Sequence, residues 1–167
     1  MNFIDFLFGV MNDPVSYSIV FFIYVILASI ILPIPVEIGL FNSNINPVVL
    51  IIILAIGKGI GAFIAFEIGS RVRGGLKKRS YQNIIMKKII NWCERFVMKY
   101  GYYGLLIIMS TPLMLDSATL YLFSILNPNE SGEAMTKKWF ILINILAGGI
   151  RGTIIILIAY VFGMKLV

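Results

Sequence analysis

The sequence predicts an all-α integral membrane protein made of two inverted-topology repeats, each a re-entrant helical hairpin followed by a long transmembrane helix. Three observations support this prediction. The chain is 59% hydrophobic and 13% charged, with a mean hydropathy of +0.94, outside the range of soluble domains. Apolar runs long enough to cross a bilayer recur along it. One order of motifs occurs twice within a single membrane domain, 1–167.

The first half, residues 1–72, begins with an apolar segment, 1–12, that is too short to span and predicts an interfacial helix. Residues 15–32 predict a helix that ends at Pro33, with Pro35 and Glu37 close behind. The apolar piece that follows is also too short to span and ends in an Asn/Pro turn. We therefore predict a re-entrant hairpin over 15–42 and a transmembrane helix over 46–72.

A basic segment joins the halves and predicts a cytoplasmic amphipathic helix within residues 73–100. Nine of the fourteen Lys and Arg lie between positions 71 and 99, with one acid among them, which marks the cytoplasmic side of a membrane. We expect this segment to contact anionic lipid headgroups, and the localised charge argues against a nucleic-acid partner. The apolar face of the helix comprises Ile85, Ile89, Trp92, Phe96 and Tyr100.

The second half, residues 101–167, repeats the order of the first. An apolar run ends at Pro112, Asp116 follows, and a short apolar piece leads to another Asn/Pro turn. Glu37 and Asp116 are 79 residues apart. This pattern predicts a hairpin over 101–126 and a transmembrane helix over 138–164. The alternative is that 101–126 is a single kinked span. The charges of the loop that follows are balanced, so the positive-inside rule does not decide between a hairpin and a single span.

Four charged residues fall inside the predicted membrane segments: Glu37, Lys58, Asp116 and Arg151. Each charge near the bilayer centre costs about 2.5–3.5 kcal/mol, so they should pair or line a wet cavity. In a cavity they would form a substrate or ion pathway, in which the cations hold an anion and a carboxylate exchanges a proton. The alternative is two structural ion pairs, Glu37–Lys58 and Asp116–Arg151.

Other side chains are assigned simpler roles. Glu67 lies nearer the cytoplasmic end of its helix and is expected to extend its carboxylate towards water. The chain has no histidine and one cysteine, Cys93, and no catalytic set is recognisable, so we predict neither an enzyme nor a metal or cofactor site. Helix packing is predicted for the glycines of the two long helices: Gly57, Gly61, Gly148, Gly149 and Gly152.

Four stretches together resemble the DedA/VTT (SNARE-associated Golgi protein) superfamily, over roughly residues 30–163. "GAFIAFEIGSRV" (61–72) is similar to its pattern of Gly-Ala, an aromatic residue, Ile-Gly and arginine. "KYGYYGLLIIMSTPLM" (99–114) is similar to its Lys-Tyr-Gly signature with an apolar run into proline. "KWFILINILAGGIRGTIIILIAYVFG" (138–163) resembles its closing segment, and "LPIPVEIGL" (32–40) resembles its proline–acid motif.

The resemblance implies two inverted re-entrant hairpins and movement of phospholipid or polyprenyl phosphate across the cell membrane, by a flippase or scramblase that could be proton-coupled. Glu37 stands where the family has its first-hairpin acid. Ser110 and the pair Asp116–Ser117 stand where members commonly carry arginines, so Lys58 and Arg151 would have to replace those cations. Putative small-molecule export proteins resemble the same fold. Three further possibilities remain: a small-molecule or ion exporter on the same fold, a non-transporting membrane scaffold, and a homo-oligomer.

Overall fold

The computed structural model describes residues 13–31, 35–80, 84–112, 116–127 and 135–162. Within these ranges the protein is all-helical, without strands. The predicted interfacial helix 1–12 and Pro33 lie outside the described residues. The described helices are α1 (Pro14–Ile30), a 3₁₀ helix (Val36–Leu40), α2 (Pro47–Ser80), α3 (Ile84–Ser110), α4 (Asp116–Ile125) and α5 (Lys137–Val161).

Two helices have the length and composition needed to cross a bilayer. They are the Pro47–Arg73 part of α2 and the whole of α5, and α1 is apolar but shorter. Large apolar side chains on both helices are exposed, among them Ile52 on α2 and Leu157 on α5. A helix that is apolar on its exposed face as well as its buried face is typical of a lipid environment. The fold is therefore consistent with a helical membrane protein.

Helices α2 and α5 pack antiparallel and form the largest contact between helices. A Cβ atom on Gly152 would lie 3.2 Å from Ile51, and one on Gly148 would lie 2.9 Å from the Cα of Ala55. Nearer the other end of α2, the rings of Phe66 and Phe140 are 5.1 Å apart. Glycine at 148 and 152 thus lets the two backbones approach closely, as predicted from the sequence.

The adjacent Gly149 does not share this role. Beyond its chain neighbours and the backbone of its own helix, a Cβ atom placed there would meet no atom of the described residues within 4 Å. No packing contact of Gly149 with a neighbouring helix is therefore present among the described residues, and its packing role stays a prediction. The physical reason is the helical period: Gly148 and Gly152 are four residues apart and share a face, whereas Gly149 is turned about 100° away from Gly148.

Helix α1 lies alongside α2 and runs in the same direction, because successive turns of α1 meet successive turns of α2. A Cβ atom on Gly57 would lie 2.8 Å from the side chain of Val25. One on Gly61 would lie 2.4 Å from the Cβ of Ser29. These two glycines therefore occupy close helix contacts. The Ser29 hydroxyl is buried and donates to the Val25 carbonyl within α1.

After α1 the chain turns back along the same helix. The Tyr24 hydroxyl donates to the carbonyl oxygen of Pro35 at 3.0 Å. The Tyr17 hydroxyl, nearly two turns earlier in α1, donates to the carbonyl of Gly39 at 2.9 Å. The residue numbers of the returning segment thus increase while those of their α1 partners decrease, so this segment runs antiparallel to α1. Glu37 lies within this returning 3₁₀ segment, directly after Pro35 and Val36.

The boundaries between the halves differ from the sequence prediction. Helix α2 continues to Ser80, past the predicted end at residue 72, because no proline interrupts it there. Helix α3 joins the amphipathic segment to the first leg of the second half, and helical geometry is broken only at Gly101 (φ 17°, ψ −102°). The kink at Gly101 therefore ends the amphipathic helix where the sequence predicts its end, whereas the predicted start of this helix at residue 73 lies within α2.

The amphipathic part of α3 contributes to the protein core as well as to its surface. Trp92 is 67% exposed, and the rings of Phe96 and Tyr100 are 5.1 Å apart. Phe96 also contacts Phe123 of α4 edge-on, with ring centroids 6.4 Å apart. Val97 is fully buried. The predicted apolar face therefore packs partly against α4, and Trp92 is left exposed.

Helices α3 and α4 also form a chain reversal. α3 ends at Ser110, and α4 begins at Asp116 and runs back along α2. Its far end is held by Arg73, whose guanidinium donates to the carbonyl oxygens of Ser124 and Ile125. These carbonyls belong to the last turn of α4, which lacks partners within the helix. Arg73 therefore caps α4 and fixes it to α2.

A buried asparagine closes the connection from α4 to α5. The Asn127 side chain donates to the Met135 carbonyl at 2.8 Å and accepts from the Met135 amide at 3.1 Å. The Tyr102 hydroxyl then accepts from the amide of Thr136, just before α5 begins. The start of α5 is thus fixed beside the first turns of α3 after Gly101.

Candidate functional site

The four charged residues predicted from the sequence meet in one buried cluster, which we call the charge cluster. Glu37 comes from the 3₁₀ helix, Lys58 from α2, Asp116 from the start of α4 and Arg151 from α5. Their exposed fractions are 6%, 0%, 6% and 1%, respectively. Four elements from both halves of the chain therefore contribute one charge each.

Arg151 is the centre of the charge cluster. Its Nε donates to Oε1 of Glu37 at 2.8 Å, and its Nη2 contacts the same oxygen. Its Nη1 donates to Oδ1 of Asp116 at 2.6 Å. A planar guanidinium presents several donors in a fixed arrangement, so it can bind two carboxylates at once. Arg151 thereby connects the chain reversal after α1 with the one after α3.

Lys58 completes the cluster from α2. Its Nζ lies 3.3 Å from Oδ1 of Asp116 and donates to the carbonyl oxygen of Met109 at 3.1 Å. Of the two ion pairs considered from the sequence, Asp116–Arg151 is present. Lys58, however, contacts Asp116 and Glu37 contacts Arg151, so both contacts cross between the halves instead of remaining within one. The sequence could not show this, because it depends on how the chain reversals pack.

The charges of the cluster alternate in sign and sum to zero. Glu37, Arg151, Asp116 and Lys58 follow one another as anion, cation, anion and cation. Such an arrangement compensates part of the cost of burying charge, and removal of one member leaves another buried without compensation. The two cations also have the chemistry that binds phosphate: a forked guanidinium and a point-charge ammonium.

Both carboxylates lie where a helix has been interrupted near proline. Pro35 is the residue before the 3₁₀ helix that carries Glu37. Pro112 follows the end of α3, and Asp116 is the first residue of α4. The first backbone N–H groups of a helix have no partner within it and carry partial positive charge. Asp116 therefore occupies a favourable position for an anion, and the same N–H groups favour other anions nearby.

Glu67, which was expected to extend its carboxylate towards water, is partly exposed and also pairs with Lys137 at the start of α5. We call this contact the rim pair. The two side chains are 39% and 37% exposed, and the Lys137 ammonium lies 4.2 Å from the ring centroid of Phe63. A half-exposed ion pair of this kind contributes little stability. Among the described residues, no group of three or more His, Cys, Asp or Glu is placed to hold a metal ion.

Sequence reasoning did not predict the burial of three polar residues outside the charge cluster. The basic composition of its segment predicts an exposed side chain for Arg73, yet this residue is 7% exposed and caps α4. Asn144 is fully buried in α5, and its polar side chain in an apolar helix was a signal that could have been used. The Oγ of Ser110, at the end of α3, is also buried.

Comparison of this chain with protein-family models, with curated proteins and with solved structures finds no match.

Proposed function

We propose that this protein is a membrane transporter of the DedA/VTT type that moves phospholipid or polyprenyl phosphate across the bilayer at the charge cluster. The observation that carries the proposal is the position of Arg151. It binds one carboxylate from each of two chain reversals, and each carboxylate lies at a helix interruption. Interrupted helices at matching positions of two halves are typical of transporter binding sites near the bilayer midplane.

The contacts support two re-entrant hairpins of opposite orientation. In the first half the chain returns along α1, with Tyr17 and Tyr24 bonded to the returning segment. In the second, Met109 at the end of α3 and Asp116 at the start of α4 both contact Lys58, so the reversal takes place at that level of α2. Non-helical backbone at such depth is tolerated where protein or a polar cavity surrounds it.

A phosphate-bearing lipid could compete with the two carboxylates for the cations of the cluster. The guanidinium of Arg151 can bind phosphate oxygens with two parallel hydrogen bonds, and the N-terminus of α4 adds backbone donors. Protonation of Glu37 would weaken its contact with Arg151 and release part of the guanidinium for the substrate. In this scheme the structure represents the closed state, in which the carboxylates occupy the positions of the phosphate.

A second candidate is a non-transporting membrane scaffold, and one observation favours it. The four charges bind one another and are at most 6% exposed, as in a structural lock between the halves. The scaffold predicts no lipid flux and a stable partner recovered by cross-linking in the native membrane.

Reconstituted protein should accelerate lipid movement, and Glu37→Gln should reduce it at least tenfold, with a smaller fall in Tm than removal of Arg151 causes because glutamine keeps a hydrogen-bond acceptor at this position. Glutamine can still accept a hydrogen bond from Arg151 but cannot exchange a proton. The measurement is dithionite quenching of a fluorescent lipid in proteoliposomes. Glu67→Gln, the same change at the exposed rim pair, is the matched control and should retain flux. Quenching no greater than in protein-free liposomes would reject lipid transport and favour the scaffold.

Labelling of single cysteines should show the opposite orientation of the halves. In a Cys93→Ser background, Ser43→Cys should react with an impermeant maleimide added outside intact cells. Ser131→Cys should react only after the membrane is opened. Both expectations follow from a cytoplasmic 71–99 segment and two hairpins that do not cross the bilayer. Reaction of Ser131→Cys from outside would mean that 101–126 crosses as one kinked span.

A further inference from the structure

An apolar groove runs between α2 and α5 on their exposed side. Its volume is about 250 Å³, and every residue that lines it is apolar or glycine. A Cβ atom on Gly59 would lie 2.5 Å from the side chain of Ile145, so the two helices meet closely at the floor of the groove. We call this feature the α2–α5 groove, and its lining residues are Ile56, Gly59, Ile60, Phe63, Ile141 and Ile145.

The groove continues far enough along α5 to hold an acyl chain. A second hollow of about 440 Å³ shares Ile145 with it and extends to Thr153. Gly149 lines this second hollow, and the space beside its Cα is open. From Ile141 to Thr153 the helix rises by about 18 Å, and one half of the hydrocarbon core of a bilayer is about 15 Å thick. The acyl chain of a lipid in one leaflet therefore fits along the two hollows.

The rim pair lies one helical turn beyond the groove, on the same faces of both helices. Glu67 follows Phe63 by four residues, and Lys137 precedes Ile141 by four. A contact also joins the rim pair to the groove, because the Lys137 ammonium lies 4.2 Å from the ring centroid of Phe63. One end of an apolar groove is thus occupied by a partly exposed cation.

Positive charge predominates at this end of the groove among the described residues. Lys138 is exposed next to Lys137, and Arg71 is exposed one turn beyond Glu67, close enough for its charge to act on that carboxylate. Trp139 is also exposed here. Tryptophan is enriched at the depth of the lipid headgroups. The rim pair therefore lies where a lipid phosphate would be, at the end of the groove nearest the predicted cytoplasmic segment.

We infer that the α2–α5 groove binds the acyl chain of an anionic phospholipid whose phosphate contacts Lys137, with Arg71 and Lys138 adding positive charge. Basic pockets between transmembrane helices on the cytoplasmic side bind anionic headgroups. The phosphate competes with Glu67 for the Lys137 ammonium, and a half-exposed ion pair offers little resistance to that exchange.

A lipid fits this groove better than a second copy of the chain does. A two-fold axis along the membrane normal would bring the same cations of both copies together, and their repulsion opposes that arrangement. The inference goes beyond the proposed function and does not depend on it. The bound lipid lies outside the charge cluster and is held there, whether or not other lipid is moved across the bilayer.

The test is phospholipid binding by the purified protein in detergent micelles, followed by native mass spectrometry as phosphatidylglycerol is titrated. Lys137→Gln should weaken binding about fivefold, the contribution of one basic residue near an anionic lipid surface. Glu67→Gln should strengthen binding by about the same factor, because the competing carboxylate is gone. Both variants break the rim pair, so a purely structural role of this pair predicts the same direction for both.

Three controls separate the groove from general surface effects. Lys99→Gln removes an exposed cation from α3 and should bind phosphatidylglycerol as wild type does. Ile60→Trp fills the groove and should abolish binding at the concentration that saturates wild type, with Tm in lipid-free detergent nearly unchanged. Ile23→Trp makes the same change at an exposed position of α1, which packs on the other side of α2, and should retain binding.

The inference is overturned if Lys137→Gln and Glu67→Gln weaken binding equally, or if Ile60→Trp still binds phosphatidylglycerol. Phosphatidylcholine bound as tightly as phosphatidylglycerol would also overturn it, as would a rise in Tm with glycerol phosphate equal to that with the lipid. A dimer without bound lipid would mark the groove as an interface between copies. Bound lipid without lipid flux rejects transport alone, and flux without bound lipid rejects this site alone.

Discussion

Arg151→Met is expected to be among the most destabilising substitutions in this protein. The side chain is 1% exposed and binds both Glu37 and Asp116. Its removal takes one positive charge from a neutral cluster, so two buried carboxylates are left with Lys58 as the only cation of the cluster. Breaking a buried ion pair by removing one partner costs about 3–5 kcal/mol. For a chain of this size that corresponds to a fall in Tm of about 6–20 °C.

A second substitution separates this effect from simple loss of packing. Glu37→Gln in the Arg151→Met background restores neutrality and leaves the Lys58–Asp116 pair in place. The double variant should recover about 0.5–3 kcal/mol relative to Arg151→Met alone, the range measured for coupled neighbours. Thermal unfolding of the four proteins in detergent micelles completes the cycle. Strictly additive effects would show that the two side chains do not interact, and an unchanged Tm for Arg151→Met would show that water solvates the cluster.

The membership of the charge cluster could be predicted from the sequence, whereas its pairing could not. A charge within an apolar segment is costly, so four residues can be recognised from the sequence alone: Glu37, Lys58, Asp116 and Arg151. The partners depend on how the reversals fold back, and the Arg151–Glu37 contact joins residues 114 positions apart. Local sequence holds no information on that choice. The physical reason is that ion pairing is set by tertiary packing and not by local propensity.

The buried role of Arg73 was hidden for a different reason. It lies in a basic segment, where averaged composition predicts solvent-exposed side chains on the cytoplasmic side. Its burial follows from the unpaired carbonyls at the end of α4, which need donors. That requirement becomes visible only when α4 is known to end beside α2. Asn144, by contrast, was visible as a lone amide in an apolar helix.

The spacing of the glycines also indicates which of them pack against another helix, which their number alone does not. Gly57 and Gly61 are four residues apart and face α1, and Gly148 and Gly152 are four apart and face α2. Close helix packing requires small residues on one face, so an interval of four marks a packing position. A glycine outside that interval, such as Gly149, lies on a different face. The same helix thus provides two adjacent glycines in opposite environments.

These neighbours give the second large prediction: Gly148→Leu should prevent stable folding, whereas Gly149→Leu should leave Tm nearly unchanged. At position 148 even a Cβ atom would lie 2.9 Å from the Cα of Ala55, and backbone cannot yield as a flexible side chain can. A leucine there must separate α2 from α5, and with them the Lys58 and Arg151 contacts of the charge cluster. At position 149 the added side chain enters open space.

The alanine variants make the same comparison with a smaller side chain. Their Tm can be measured even if the Gly148→Leu protein does not fold. Gly148→Ala should cost about 1–3 kcal/mol, as expected for overpacking of a close contact. Gly149→Ala should be neutral or gain up to about 1 kcal/mol, because alanine favours the helix more than glycine does. Tm values of the purified variants in detergent give both numbers under one condition. Equal losses at the two positions would contradict the close approach of α2 and α5 at Gly148, since only that approach makes these adjacent glycines different.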